Sequence, residues 1–376
     1  MSSSETVAIV LAAGQGTRMK SALPKVLHPL LGRPMIAYPV QAALDAGCAR
    51  VVCVLGHGRE QVEAVLAQRF GERVLIAVQP EQRGTGDAAR CGAQAVPDHA
   101  GRFLILNGDA ALITAAPLRA LIAASSSAGT PLGMLVSQLP DATGYGRILR
   151  DAQGKVRAIR EQKDCSASEA AIQEWNPGVY VMDAGFFRGA VQKLSTNNAQ
   201  GELLLTDLVA MAASAQSGGV SDVSWEQGEL QGVNDRNELC ARERELNLRV
   251  CREHGKRGVT IRNPDAVSID VDVTIEPDAK IEAGVQLRGR CAIGRGAHID
   301  VGCVLRDVSV AEEALVQPYT VATRSTIGPR TQVGPFSHLR PDSVLEEGAH
   351  MGNFVETKKT RLGKNSKANH LAYLGD

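Results

Sequence analysis

Two hydrophobic rhythms divide the chain. From Thr6 to about Gly232, short apolar runs alternate with stretches of helical spacing. Val7–Ala12, Arg50–Leu55, Arg73–Val78 and Phe103–Leu106 are almost continuously apolar, as expected of strands covered on both faces. Met35–Ala46, Glu60–Arg69, Gly86–Gln94 and Ala116–Ala124 read as the helices between them, and Leu132–Gln138 and Val179–Met182 as later strands. The alternation predicts an α/β, Rossmann-like domain, a mostly parallel sheet with helices on its faces and ligand-binding residues at the strands' C-terminal ends. From Asp235 to Lys256 the chain turns dense in Arg, Glu, Leu and Asn. This reads as one solvated connecting helix closed by Gly255 and Gly258.

Beyond Ala266 the period becomes six. Aliphatic residues stand at Ile269, Ile275, Ile281, Leu287, Ile293, Ile299 and Leu305, then after one-residue slips at Val310 and Val316, and at Ile327, Val333, Leu339, Leu345 and Met351. Small residues follow four places later, as at Val273, Ala279, Cys291, Ala297, Cys303 and Ala349. Neither a helix nor an ordinary strand repeats every sixth residue. A prism with three short strands per turn does, so the pattern predicts a left-handed parallel β-helix of hexapeptide repeats. The domains implied are 1–234, a linker helix at 235–258 and a prism at 259–376.

Composition narrows the function. Forty-one Lys+Arg balance 41 Asp+Glu, which argues against a nucleic-acid binder and leaves small molecules as the default partners. The eight cysteines contain no C-x-x-C pair, so neither zinc nor dithiol chemistry is expected of them. The first residues lack a signal-peptide pattern and Val7–Ala13 is too short to span a bilayer, so a cytoplasmic protein with no membrane partner is expected.

The first strand runs into Leu11-Ala-Ala-Gly-Gln-Gly-Thr-Arg-Met19, with Leu23-Pro-Lys25 beyond. Met19 stands where a dinucleotide fingerprint needs its last glycine, and the Lys-Ser/Thr ending of a P-loop is missing. What remains is an anion-binding loop flanked by two cations, Arg18 and Lys25, a combination suited to a triphosphate. Asp109 lies just past the strand Phe103–Leu106, where a carboxylate can share Mg²⁺ with substrate phosphates. The plainer alternatives are a tight turn with solvated cations and an Asx-turn.

With Gln79, Gln82-x-Gly-Thr-Gly86, Thr143-Gly-Tyr-Gly-Arg147, Glu161-x-Lys-Asp164, Asn176, Asn197-Asn-Ala-Gln-Gly-Glu202 and Gly232-Val-Asn-Asp-Arg236, the loop resembles sugar-nucleotide pyrophosphorylases. Together with Leu339-Arg-Pro341, Gly352-Asn-Phe-Val-Glu356, Lys358-Lys359 and His370–Asp376, the chain resembles one family from about Val7 to its end. That family is the bacterial bifunctional N-acetylglucosamine-1-phosphate uridyltransferases and glucosamine-1-phosphate acetyltransferases. The resemblance implies Mg²⁺-dependent formation of UDP-N-acetylglucosamine and pyrophosphate from UTP and N-acetylglucosamine 1-phosphate, for peptidoglycan and lipopolysaccharide precursors. It implies Asp109 and Asn234 as metal ligands, and Arg18 and Lys25 as catalytic cations. Leu11, Ala12, Ala13, Gly14, Gln79, Gly84 and Thr85 would hold the nucleotide. Asn107, Gly108, Gly146, Glu161 and Asn176 would lie along the sugar.

In the prism, His370 would be the general base for acetyl transfer from acetyl-CoA to glucosamine 1-phosphate. Arg340 and Lys358 would grip the sugar phosphate, with Tyr373 nearby. The family's packing implies a homotrimer. Several positions depart from the family pattern: Asn107 replaces a Tyr, Ala110-Ala111 a Val-Pro, Pro177 a Thr or Ser, and Asn369 a Gly. The family also continues past the equivalent of Asp376 through rungs that carry its acetyl-CoA site, so uridyl transfer is expected here and acetyl transfer is expected to be inactive in this chain. Two rivals stay open, another NDP-sugar pyrophosphorylase and a non-catalytic trimeric scaffold.

Overall fold

Three of the four early apolar runs become buried strands, whereas Val74–Val78 forms an edge strand in which only Ala77 is buried and Val78 is exposed. A computed structural model describes residues 5–215 and 219–375, so that Met1–Ser4, 216–218 and Asp376, the last residue of the string from His370, lie outside the described residues. The chain divides into two compact units, one reaching Leu239 and the other starting at Cys240, with the short segment Pro29–Arg33 belonging to the second.

The first unit is built on a ten-stranded sheet. Its strands are β1 (Thr6–Ala12), β2 (Arg50–Leu55), β3 (Val74–Val78), β4 (Arg102–Asn107), β5 (Leu132–Gln138), β6 (Gly146–Arg150), β7 (Val156–Arg160), β8 (Glu174–Asn176), β9 (Tyr180–Asp183) and β10 (Val220–Ser224). The first four run parallel in the order β3-β2-β1-β4, as the buried apolar runs predict. Beyond β4 the sheet is mixed: β9 is antiparallel to β4 and to β5, β10 is parallel to β5, and β8 joins β5 to the antiparallel pair β6-β7. The apolar pattern does not announce β6 and β7, because Gly-Arg-Ile-Leu-Arg and Val-Arg-Ala-Ile-Arg each carry two arginines three residues apart, which puts a charge on either face.

Side chains of β1 alternate between two cores. Ala8, Val10 and Ala12 pack on one side of the sheet, and Val7 and Ile9 on the other. The helices α1 (Ala37–Asp45), α2 (Arg59–Phe70), α3 (Thr85–Gln94) and α4 (Ala115–Ala128) fall within a few residues of expectation. The largest extension is in α4, which continues past Ala124 through three serines. Ser125 there is buried and accepts a hydrogen bond from Arg102. Two further helices, α5 (Ala184–Val191) and α6 (Asp207–Ala213), close the second core.

The helix α7 (Arg236–Lys256) includes Gly255 and is followed by Gly258 at φ 90°, so of the two expected terminators only the second lies outside the helix. Within the second unit Asn247 of α7 holds the prism's first coil, its amide nitrogen donating to the Val267 carbonyl at 2.8 Å and its oxygen accepting from the Ile269 amide at 3.1 Å.

The prism has three parallel sheets of seven, seven and six two- to three-residue strands. Its registers stack the sixth-residue positions into columns: Ile281, Ile299, Val316, Val333 and Met351 on one face, and Ile269, Leu287, Leu305, Ala322, Leu339, Thr357 and Leu374 on the next. The third column runs Ile275, Ile293, Val310, Ile327, Leu345 and Leu362. Ala322, Thr357 and Leu362 extend the ladder beyond its obvious aliphatics. Polar interior residues are satisfied locally, as Ser337 Oγ donates to the Gly352 carbonyl at 2.7 Å and Ser343 Oγ to the Arg340 carbonyl at 2.7 Å.

Candidate active site

The loop after β1 carries its two cations on single helical turns. Arg18 lies in the 3₁₀ turn Thr17–Met19, and Lys25 opens another, Lys25–Leu27. Gly16 sits at φ 61°, and a Cβ there would collide with the stem of Lys25, so glycine is required for the lysine to cross the loop. Lys25 Nζ meets Asp109 Oδ2 at 2.5 Å, with 15% and 21% of the two side chains exposed. Arg18 Nη2 donates to Asn234 Oδ1 at 2.7 Å. Asn234 is placed in turn by Glu238, whose Oε2 accepts its backbone N–H at 2.7 Å, while Asp235 Oδ1 accepts the Asn237 and Glu238 amides in the first turn of α7. Residues 18, 25, 109 and 234, far apart in sequence, thus form two adjoining cation–oxygen pairs.

A cleft of about 310 Å³ opens beside them at the C-terminal ends of β1 and β4. Of the expected residues it is lined by Leu11, Arg18, Thr85, Asn107, Asp109, Gly146, Glu161, Asn176 and Asn234. Glu161 is not paired with Lys163. It is largely buried, its Oε1 accepts from Thr206 Oγ1 at 2.9 Å, and its carboxyl is held above the ordinary range chiefly by burial, with Asp207, Asp164 and Glu202 adding to the shift. Asn107, Ala110 and Pro177 also line the cleft, whereas Ala111 is buried beneath it. Pro177 has no N–H, and Asn176 Oδ1 accepts from the next amide, Gly178, at 3.0 Å.

Gln79 faces elsewhere. Its amide donates to the Gly84 carbonyl at 3.1 Å and to buried Asp87 at 3.0 Å, and it borders a second cleft of about 500 Å³ with Gly56, His57, Pro80 and Gln82. Gln82 donates to the Ala13 carbonyl at 2.8 Å, tying this wall to the glycine loop, and the Gly108 amide donates to the Leu11 carbonyl at 2.8 Å. Ala12 and Ala13 are buried, Gly14 has open space beside it, and Gly84 caps the start of α3.

On one prism face, consecutive coils bring Arg340 next to Lys358 and, two residues before each, His338 next to Glu356 and Tyr373. Arg340 Nη1 donates to Glu356 Oε1 at 3.1 Å, an ion pair on the group expected to grip phosphate. His370 is exposed at the corner that precedes Tyr373. Asn369 does not adopt a left-handed conformation, so its replacement of a glycine carries no backbone penalty.

A model of the nucleotidyl transferase family matches residues 7–226. A relative named bifunctional protein GlmU from Sorangium cellulosum is 55% identical over 373 residues, which cover 98% of this chain and 78% of the relative. The chain belongs to this family. Proteins of the same name from an Anaeromyxobacter species and from Trichlorobacter lovleyi are 47% and 43% identical, over 75% and 80% of their lengths.

Family motifs led to the polar ends of the cleft, but not to its walls. Tyr145, Gly178, Leu205 and Thr206 line it as well. Tyr145 lies inside the string Thr143–Arg147 without being singled out, and Thr206 stands four residues beyond Glu202, where another string ends. Leu205 looks like any buried leucine. No group of three or more His, Cys, Asp or Glu side chains suited to a metal occurs among the described residues. The oxygen pair of Asp109 and Asn234 nonetheless fits a hard divalent cation that takes its remaining ligands from phosphate and water. No helix among the described residues is long and apolar enough to cross a membrane.

Proposed function

We infer that the chain makes UDP-N-acetylglucosamine and pyrophosphate from UTP and N-acetylglucosamine 1-phosphate, and that its prism is an acetyltransferase region. The observation that carries the first reading is the pairing of Arg18 with Asn234 and of Lys25 with Asp109 at the mouth of a cleft lined by Glu161 and Asn176. A phosphate oxygen of the sugar phosphate attacks the α-phosphorus of UTP, forming one P–O bond as the α–β anhydride bond breaks and pyrophosphate leaves. A phosphate nucleophile already carries the negative charge it needs, so no general base is required. Catalysis rests on alignment and on stabilising the charge of the transition state.

In this reading Mg²⁺ held by Asp109 and Asn234 supplies charge neutralisation to the phosphates. The chain's own part is to exchange partners. When nucleotide binds, Lys25 leaves Asp109 and Arg18 leaves Asn234 for phosphate oxygens, and the two side-chain oxygens would then be free to hold the cation. Leu11–Gly14, Gln79, Gly84 and Thr85 bind the nucleotide. Asn107, Gly108, Gly146, Glu161 and Asn176 bind the sugar.

In the prism, His370 is the residue assigned as general base in the family's acetyl transfer, which takes the proton of the glucosamine amine as it attacks the acetyl thioester of acetyl-CoA, a role suited to imidazole. Arg340 and Lys358 hold the sugar phosphate once Glu356 is displaced, and Tyr373 borders them. The prism assembles as a trimer. Tyr319, Phe336 and Phe354 support this, since they are half-exposed and stacked along one corner at 5.2 and 5.6 Å between centroids. Pyrophosphate release, measured with Mg²⁺ across UTP, dTTP, ATP and GTP against N-acetylglucosamine, glucosamine and glucose 1-phosphates, tests the central reading. UTP with N-acetylglucosamine 1-phosphate is expected to be fastest, and equal or faster turnover of dTTP with glucose 1-phosphate overturns it.

A further inference from the structure

Behind the sugar side of the cleft lies a buried arginine to which the reaction assigns no role. Arg147, in β6, is 1% exposed and stands opposite Trp175 in register. Its Nη1 donates to the Tyr145 carbonyl, and its Nη2 to Gln162 Oε1 at 2.9 Å and the Ala170 carbonyl at 3.3 Å. The same Gln162 oxygen accepts the Gly144 amide at 3.0 Å. Among the described residues Arg147 has no carboxylate within ion-pair distance, although the exposed Asp141 carboxyl feels its charge, and its Nε is buried without a hydrogen bond. A buried guanidinium without a direct counter-ion is costly, so its neutral acceptors hold it in position.

Those acceptors belong to two segments of the cleft. Gly144 and Tyr145 lie in the wall Thr143–Gly146, and Gln162 directly follows Glu161. The wall has two glycines in four residues, with Gly144 at φ 90°, and has little intrinsic preference for one shape. We propose that Arg147 and Gln162 form a clamp that fixes the spacing between Thr143–Gly146 and Glu161 and thereby sets affinity for the sugar half of the substrate. Both are positioning residues that do not touch substrate. The clamp settles the order of the wall before binding, so the sugar does not bear that entropic cost. The proposal deepens the uridyl-transfer reading and rests on it.

Gln162→Ala removes the shared acceptor oxygen and is expected to raise KM for N-acetylglucosamine 1-phosphate about tenfold, the loss of one charge-assisted hydrogen bond. KM for UTP stays within about twofold, since its contacts lie elsewhere. Gln162→Glu keeps an acceptor for both donors, supplies the missing counter-charge and is expected to restore the sugar KM. Arg147→Lys keeps charge but loses the fork and should resemble Gln162→Ala; should it fail to fold, the Gln162 pair decides alone. An unchanged sugar KM in Gln162→Ala, an equal rise for both substrates, or no rescue by Gln162→Glu overturns the clamp. Calorimetric affinities for UDP-N-acetylglucosamine and UTP read the same split without turnover. An unaltered chain that binds both but turns over neither substrate pair therefore counts against the reaction, and the clamp is still judged by the affinities. Binding of neither ligand overturns both.

Discussion

Two side-chain oxygens, of Asp109 and Asn234, share the mouth of the cleft with two cations, and each oxygen is held by one of them. Lys25 Nζ lies 2.5 Å from Asp109 Oδ2. Lys25→Ala should lower kcat about 10²- to 10³-fold, the usual loss when one donor to a developing anion is removed. Asp109→Ala should be comparably inactive with an unaltered circular dichroism spectrum, and full activity with normal metal dependence would remove Asp109 from the site.

Glu161 provides a pH signature at the same scale. Burial raises its carboxyl above the usual value of 4.5. An acid titrating higher in the folded than in the unfolded chain stabilises the fold below the unfolded value and loses that contribution as pH rises through the folded one. Glu161→Gln does not titrate. The unfolding free energy of the variant relative to the unaltered chain should therefore be constant in acid, grow as pH rises past 4.5, and level off once the carboxyl ionises in both states. A pH-independent difference between the two denaturation series would contradict the shift.

At the scale of elements, the prism is held by columns of one side chain per coil. Its corners repeat a left-handed residue that is seldom glycine, as at Glu313, Tyr319, Arg324, Arg330, Phe336 and Asp342 with φ between 42° and 67°. Such conformations cost roughly 1 kcal/mol each and persist because the coils on either side leave no alternative. Most of the stabilisation must come from the interior columns. Ile299, fully buried between Ile281 and Val316, should cost about 2–5 kcal/mol when replaced by Ala, read from urea unfolding. A loss below about 1 kcal/mol would mean that the coils collapse freely around the gap.

For the whole molecule, the prediction is assembly. Light scattering should return three times the 39.8 kDa chain mass. Phe336→Asp puts a charge into the stacked corner at a position whose φ of 54° suits Asp better than Phe, so the fold is not strained by the change. It is expected to shift the scattering mass toward the monomer at low protein concentration. A trimer equally strong in the variant would place the interface on another face.

The amino-acid sequence by itself determined both architectures, because each rests on a local period: apolar runs for β1 to β4, and every sixth residue for the prism columns. It also pointed to the polar ends of the cleft, since Arg18, Lys25, Glu161 and Asn234 lie in family strings and Asp109 lies just past a predicted strand. Only tertiary structure decided the rest. The antiparallel half of the sheet depends on long-range pairing of β8 and β9, which no local period encodes. That Pro29–Arg33 belongs to the second unit follows from contacts such as the Arg33–Asp272 ion pair and the Val271 amide on the Leu31 carbonyl, made across more than two hundred residues. The pairing of Asp109 with Lys25 and of Asn234 with Arg18, the burial that shifts Glu161 and the contacts of Arg147 are likewise properties of proximity. A sequence names the groups, but their distances and desolvation are set only when the chain has closed around them.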